Sequence, residues 1–351
     1  MSKKALVYED PAVPGSLGGV QPFAKASGLS TKKAQQLLQQ KLSYTLHKPR
    51  RRRFPTLPTL VFGMNEQWQI DLADLQSLAK WNKGYKYLIT VIDVFSKFAW
   101  AEPIKSKSGQ QVKQGLERLW KRAHPRKPLR VQTDAGTEFF NSKVQAFFKE
   151  QDVGHFSTYG DAKAAVVERW NRTLKEKMFR YFTAKNTLKY IDILQSLVHA
   201  YNHTRHSSIK EKPVNVKESN KNTIWNRLYG ARLSQKPKKA PKCQIGDKVR
   251  LNKKHRPFKK GYLPGWTEEV FLVREVKRHP LVTYKLTEYD GTPIKGTFYE
   301  PDVQNVHVSD ESLFRVEKVL KRKGKQVFVK WKGWPKKYNS WIAKQDLQVL
   351  G

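Results

Sequence analysis

Between residues 68 and 201 the apolar residues change their spacing in a set order, and that order restricts the fold more than any other feature of the chain. Trp68, Ile70 and Leu72 alternate with Gln69 and Asp71, the period of two that a strand needs. Residues 85–93, rich in Tyr, Ile and Val, and residues 98–104 continue that pattern across a turn at Ser96-Lys97, which predicts an antiparallel meander. Val112, Leu116, Leu119 and Trp120 then fall at helical spacing, and residues 129–133 return to a strand. Val144, Phe147 and Phe148 mark a second helix and residues 153–158 a fifth strand. A third helix, over about 164–182, carries the stripe Val167, Trp170, Leu174, Met178 and Tyr181, and a fourth follows near 191–201. Strands and helices in this order bury their apolar faces as a mixed sheet with helices packed on it.

Charge bounds the partners. The 351 residues hold 68 Lys and Arg against 30 acids, a formal net charge of +38. Self-repulsion on that scale opposes compaction unless a polyanion neutralises it, so nucleic acid is the expected partner. No run of about 18 apolar residues predicts a membrane span, and nothing behind Met1 reads as a secretory signal. Cys243 is the only cysteine, which excludes an internal disulfide framework and any multi-cysteine zinc site. His199, His203 and His206 cluster without a cysteine or carboxylate and read as a polar helix end.

The excess is concentrated at two places. Residues 1–53 carry 11 Lys and Arg against 2 acids, and residues 231–260 carry 12 against one. Within the first, Val20, Phe23, Ala24 and Ala26 precede Gly28-Leu29-Ser30, with Ala34, Leu37 and Leu38 beyond; Ser30 suits an N-cap, and the pair predicts a helix-turn-helix unit. The run Arg50, Arg51, Arg52 and Arg53 is a candidate DNA contact and nuclear address. The second leads into short strand-like runs at 248–251, 270–276, 283–287 and 294–299, with a hairpin signal at Asp290-Gly291, which predicts a small five-stranded barrel. Phe258, Tyr262 and Trp266 interleave with its basic residues as a phosphate-contacting surface. Residues 314–320 and 326–332, then Trp341 and a short C-terminal helix, complete the chain.

Three acids stand out. Asp71 lies on the first strand, Asp134 ends the fourth, and Glu168 opens the third helix of the mixed unit. If strands one and four are neighbours and that helix packs beside them, the carboxylates converge. Converging carboxylates repel unless cations neutralise them, and all-oxygen ligands suit Mg²⁺ or Mn²⁺. Two such ions serve phosphodiester cleavage or transfer.

Gln69-Ile70-Asp71, the stretch from Thr133-Asp134 to Glu138-Phe139, and Val166-Val167-Glu168-Arg169-Trp170-Asn171-Arg172-Thr173-Leu174-Lys175 resemble the catalytic core of retroviral-type integrases. The resemblance covers roughly residues 66–220. It implies an RNase H-like fold, Asp71, Asp134 and Glu168 as ligands of two metal ions, and two reactions at one site: trimming of 3′ ends, then joining of those ends to target DNA. By position it makes Arg172 and Lys175 DNA contacts, and it implies a homo-oligomer on double-stranded DNA. Glu138 and Asp93 read as structural, Asp93 as a turn cap. Phe314 to Leu320, Val329 to Trp334 and Asn339-Ser340-Trp341 resemble a chromodomain. That resemblance implies a methyl-lysine cage of Phe314, Trp331 and Trp334 for a histone tail, with Trp341 in the core, and Lys336 and Lys337 opposing a basic tail.

The expected order is therefore a zinc-free helical unit over 1–60, an RNase H-like core over 61–220, a basic linker over 221–241, a small β-barrel over 242–308 and a chromodomain over 309–351. This order is most similar to the integrases of Maverick/Polinton DNA transposons, nuclear enzymes by implication. A chromodomain integrase of a gypsy-like LTR retrotransposon, a domesticated DNA- or chromatin-binding protein without activity, and a simple RNase H-like nuclease are the alternatives.

Overall fold

The computed structural model describes residues 7–13, 15–50, 54–157, 164–234, 240–253, 262–278, 280–308 and 314–347. The chain divides into two compact units: residues 58–235, and residues 1–57 together with 236–351.

The first unit is built on a five-stranded mixed sheet. Strands β1 (Gln67–Asp74), β2 (Tyr87–Asp93) and β3 (Ala99–Ile104) form the antiparallel meander, and β4 (Arg130–Thr133) and β5 (Gly154–Ser157) add to its other side in the order β3-β2-β1-β4-β5. β1 and β4 are parallel neighbours, with Gln69 opposite Gln132. Alternation along the strands splits the core in two. Trp68, Ile70, Ile89, Val91 and Trp100 pack under helices α4 (Gly109–Ala123) and α5 (Ser142–Glu150). Ala73, Leu88, Ile92, Ala99 and Ala101 pack under α6 (Ala165–Lys185) and α7 (Leu194–Asn202). Helix α4 sits so close that a Cβ on Gly115 would stand 2.5 Å from Ile89 Cδ1. Helix α6 buries Val167, Trp170, Leu174, Met178 and Phe182, each worth about 1.5–3 kcal/mol when fully removed from water.

The second unit begins with helices α1 (Val20–Ser27), α2 (Thr31–Leu38) and α3 (Leu42–His47). Gly28 ends α1 in the left-handed region at φ 64°, and Ser30 caps α2 by accepting from Lys33 N–H. Tyr8, Phe23, Ala34, Leu38 and Tyr44 close a core of their own. A third helix was not expected. Strands β6 (Lys248–Leu251), β7 (Phe271–Lys277), β8 (Thr283–Thr287), β9 (Phe298–Tyr299) and β10 (Val303–Asn305) form an antiparallel sheet in the order β10-β6-β7-β8-β9. These are the five strands the sequence placed in a small barrel, and among the described residues β9 and β10 share no ladder. Asp290-Gly291 makes the expected turn, with Gly291 at φ 88°.

The N-terminal helices dock on this sheet. Gly265 N–H donates to Leu46 O at 2.9 Å, and Trp266 Nε1 to Lys48 O at 2.8 Å. Arg50 donates to Asn252 Oδ1 and to the carbonyls of Lys253 and Gly265. Two expectations change here. Trp266 is 4% exposed and seals the junction instead of facing phosphates. Arg50, offered by the sequence as a DNA contact, spends its guanidinium on these side-chain and backbone oxygens and so anchors the junction. Arg51, Arg52, Arg53 and Phe258 lie outside the described residues; Tyr262 is 69% exposed.

The chain ends in a three-stranded sheet of β11 (Val316–Lys323), β12 (Gln326–Trp331) and β13 (Ser340–Ala343). Val327 and Val329 are its buried residues. Trp341, expected in the core, is 42% exposed and leans on Phe328 with ring centroids 5.3 Å apart. The expected terminal helix is a single 3-10 turn, Lys344–Asp346, within the described residues.

Candidate active site

Asp71 sits mid-strand on β1, opposite Thr90, on the face that Gln69 and Ala73 share beneath α6. Three contacts set that helix relative to the acid. Gln69, fully buried, accepts from Val166 N–H at 3.0 Å and Val167 N–H at 3.1 Å. Its Nε2 donates to Gln132 Oε1 at 3.0 Å, which ties β1 to β4. The residue at the N-cap position of α6, Ala164, offers no side-chain oxygen; a strand glutamine satisfies the free N–H groups instead. One turn after Glu168, Asn171 Nδ2 donates to Asp71 Oδ2 at 2.7 Å. Glu168 is thus carried on the turn between two fixed points, exposed to solvent.

Asp134 follows the last residue of β4, and Gly136 N–H donates to its Oδ1 at 3.2 Å. Any Cβ on Gly136 would collide with Glu138 Oε2 and crowd Asp134 Oδ1, so glycine lets both carboxylates share this turn. Burial raises the Asp71 carboxyl above its ordinary range; the Leu72 N–H pulls it down, while Asp134 and Glu138 push it up and Lys175 opposes them. Asp71 and Asp134 are therefore within electrostatic reach, and Glu138, read from the sequence as structural, adds to the same negative field. Among the described residues no three His, Cys, Asp or Glu side chains stand close enough to hold a metal ion as a group. The structure thus makes neighbours of Asp71, Asp134 and Glu138 and sets Glu168 on the adjoining helical turn.

A divalent cation fits this surrounding on two counts. Asp134 and Glu138 press on the Asp71 carboxyl with Lys175 opposing them, and Asn171 Oδ1 is buried with no hydrogen-bond partner among the described residues. Gln69 and Asn171, whose hydrogen bonds fix α6 against β1, were offered by the sequence only as letters inside a motif; the spacing of Asn171, three after Glu168, was the available signal.

Lys175 Nζ donates to Asp74 O at 3.3 Å, and Arg172 is exposed on the same helix. A cleft of about 470 Å³ opens beside Glu138, with Lys107 and Lys143 on its walls. Asp93 is a turn cap as expected: fully buried, it accepts from Phe95 N–H, Ser96 N–H and Ser96 Oγ. His199 and His203 stack at 3.9 Å at the end of α7.

Residues 63–158 match the family described as Integrase core domain, and residues 314–349 the Chromo (CHRromatin Organisation MOdifier) domain. The chain is 34% identical over 191 residues to a putative uncharacterized transposon-derived protein of Caenorhabditis elegans, 54% of this chain and 63% of that protein. It is 30% identical over 115 residues to the Intracisternal A-particle Pol-related polyprotein of mouse intracisternal a-particle MIA14, 32% of this chain and 13% of that one. It thus spans less than two thirds of either relative. A chain of the simian T-cell lymphotropic virus intasome, solved in complex with PP2A regulatory subunit B56 gamma, superposes with a TM-score of 0.55 at 17% identity, covering 83% of this chain and 95% of that one. At that identity the likeness speaks for the fold alone. Residues 63–158, which hold the mixed five-stranded sheet, are thus similar to integrase core domains, and residues 314–349 to chromodomains.

Proposed function

We propose that the protein is a DNA-transposon integrase of the Maverick/Polinton kind, a polynucleotidyl transferase that processes 3′ ends and joins them to target DNA. The observation that carries this reading is the pinning of α6 on β1: Gln69 and Asn171 hold the helix of Glu168 over Asp71, and Asp134 follows directly on the adjoining parallel strand. In this reading Asp71, Asp134 and Glu168 hold two Mg²⁺ or Mn²⁺ ions, which supply charge stabilisation to the attacking and leaving oxygens of a phosphodiester. Asn171 orients Asp71 through its amide. Arg172, Lys175, Lys107 and Lys143 offer cations for DNA phosphates around the acids, as does the basic run 51–53 elsewhere in the chain. Double-stranded DNA, a nuclear location and assembly as a homo-oligomer belong to this proposal, as does recognition of a methylated histone tail by Phe314, Trp331 and Trp334.

The test is strand transfer with oligonucleotides copying the element's own ends. Asp71→Asn, Asp134→Asn and Glu168→Gln should each abolish cleavage and joining while DNA binding persists, since each removes a ligand charge and little volume. Joining that survives in any one of them would overturn the assignment of that acid. Binding of the end oligonucleotides by the wild type without any cleavage or joining would favour a DNA-binding protein without activity.

A further inference from the structure

The rings named for the cage do converge. Phe314 meets Trp331 at 6.1 Å and 68°, and Trp334 at 5.5 Å and 85°. Trp334 meets Tyr338 at 5.3 Å and 76°. Near-perpendicular rings around a common space turn some faces inward, the arrangement that attracts a cation. These four line a cavity of about 330 Å³. Among the described residues the chromodomain does not close it alone. Its remaining walls are Val270, Tyr289 and Val308, from the five-stranded sheet domain and the segment after it.

Tyr289 is held there by several contacts. It stands beside the Asp290-Gly291 turn and meets Trp334 at 6.5 Å and 77°. Its two chain neighbours grip the chromodomain: Glu288 Oε2 and Asp290 Oδ2 bind Lys337 Nζ at 2.5 and 2.6 Å. On the other side Lys248 Nζ donates to Val308 O at 2.7 Å and lies 5.4 Å from the Tyr289 ring centroid, bridging two of the walls. Glu268 pairs with Arg315, one residue after Phe314, and packs where a Cβ of Gly333 would be. Lys337 therefore does not repel a basic ligand as its position in the sequence implied, because two carboxylates of the sheet domain neutralise it. With Lys337 bridging them, Glu288 and Asp290 leave one surplus negative charge on that side of the pocket; beside Val270, burial and Glu288 push the Glu269 carboxyl up to about 7, so it adds only part of a charge, and its Oε1 has no hydrogen-bond partner among the described residues.

We propose that the methyl-ammonium pocket is a composite site, with Tyr289 of the sheet domain as a working wall of the cage and the Lys337–Glu288–Asp290 clamp as the device that holds it there. This rests on the reading that Phe314, Trp331 and Trp334 receive a methylated lysine, and it adds that the chromodomain alone lacks part of the site. The ligand is a lysine-methylated basic peptide, read jointly by aromatic faces and by the acidic edge of the sheet domain.

The full chain is titrated with trimethyl-lysine blocked at both ends, and with blocked unmodified lysine, following tryptophan fluorescence and ligand NMR line broadening. Wild type should prefer the trimethylated probe, and Trp331→Ala should lose that preference. Tyr289→Ala should weaken binding roughly fivefold, about one cation–π contact, and Tyr289→Phe should restore it because the ring face is kept. Tyr289 is 44% exposed, so the alanine variant leaves the fold intact, as its thermal melt would verify. Loss in Trp331→Ala with no change in Tyr289→Ala would overturn the composite site and leave the cage standing. No preference in wild type would overturn both.

Discussion

Replacing Gln69 with Met keeps the side chain's length and most of its volume while removing every hydrogen bond it makes. In the native fold its Oε1 accepts from Val166 and Val167 N–H, and its Nε2 donates to Gln132 Oε1. Gln132 Oε1 keeps a second donor, Gln67 Nε2, at 2.7 Å, so the loss falls mainly on the two amides at the start of α6. A buried donor left unsatisfied costs about 1–3 kcal/mol. Val167 is fully buried and pays in full; Val166 is half-buried and reaches water in part. The sum is roughly 2–5 kcal/mol, or a fall of about 5–15 °C in Tm for a unit of this size. Activity should suffer beyond stability, because the released turn carries Glu168. Guanidinium unfolding, with strand transfer measured at a temperature where the variant is still folded, separates the two effects. A Gln69→Met protein within 1 kcal/mol of wild type that still joins ends would refute the view that this glutamine positions the catalytic helix.

Gly115→Ala should destabilise the same unit by about 1–2 kcal/mol in urea unfolding, since clashes with Ile89 Cδ1 and Ile104 Cγ2 at 2.5 and 2.7 Å outweigh the helix propensity gained; a more stable variant would show that the helix can move away freely. Acid should weaken the fold through His155 and His206, both held down to about 4 by burial, with Lys97 adding to the effect on His206. The unfolded chain takes up these protons near pH 6.5 and the folded one only near 4, so their contribution is complete above 6.5 and is lost as pH falls to 4. Each is worth roughly 1–3 kcal/mol, read as the pH slope that His155→Gln or His206→Gln removes from an unfolding series; an unchanged slope would mean that the ring is solvated.

Local pattern and tertiary placement can be separated here residue by residue. The period-two runs, the α6 stripe from Val167 to Met178, the Ser30 cap and the Asp290-Gly291 turn were legible in the chain, because each depends on neighbours within a few positions. The adjacency of β1 and β4 was a condition of the sequence reading, and the sheet meets it. Asp71 and Asp134 could be named because the short motifs that carry them resemble those of integrase cores. What a local pattern does not contain is the partner of a side chain. Trp341 and Trp266 are both tryptophans in strand-like surroundings, yet docking of the N-terminal helices buries Trp266 while Trp341 stays on an open face. Arg50 belongs to a basic run by sequence, but the carbonyls of residues 253 and 265 claim it. Gln69 as a cap for a helix almost 100 positions away, Glu138 beside Asp134, and Tyr289 against Trp334 all arise from contacts between elements. Hydrophobic periodicity is a property of the chain itself; hydrogen-bond partners and the choice of which aromatic is buried are settled only when separate elements meet, because only then do unsatisfied donors and exposed rings compete for the same few places.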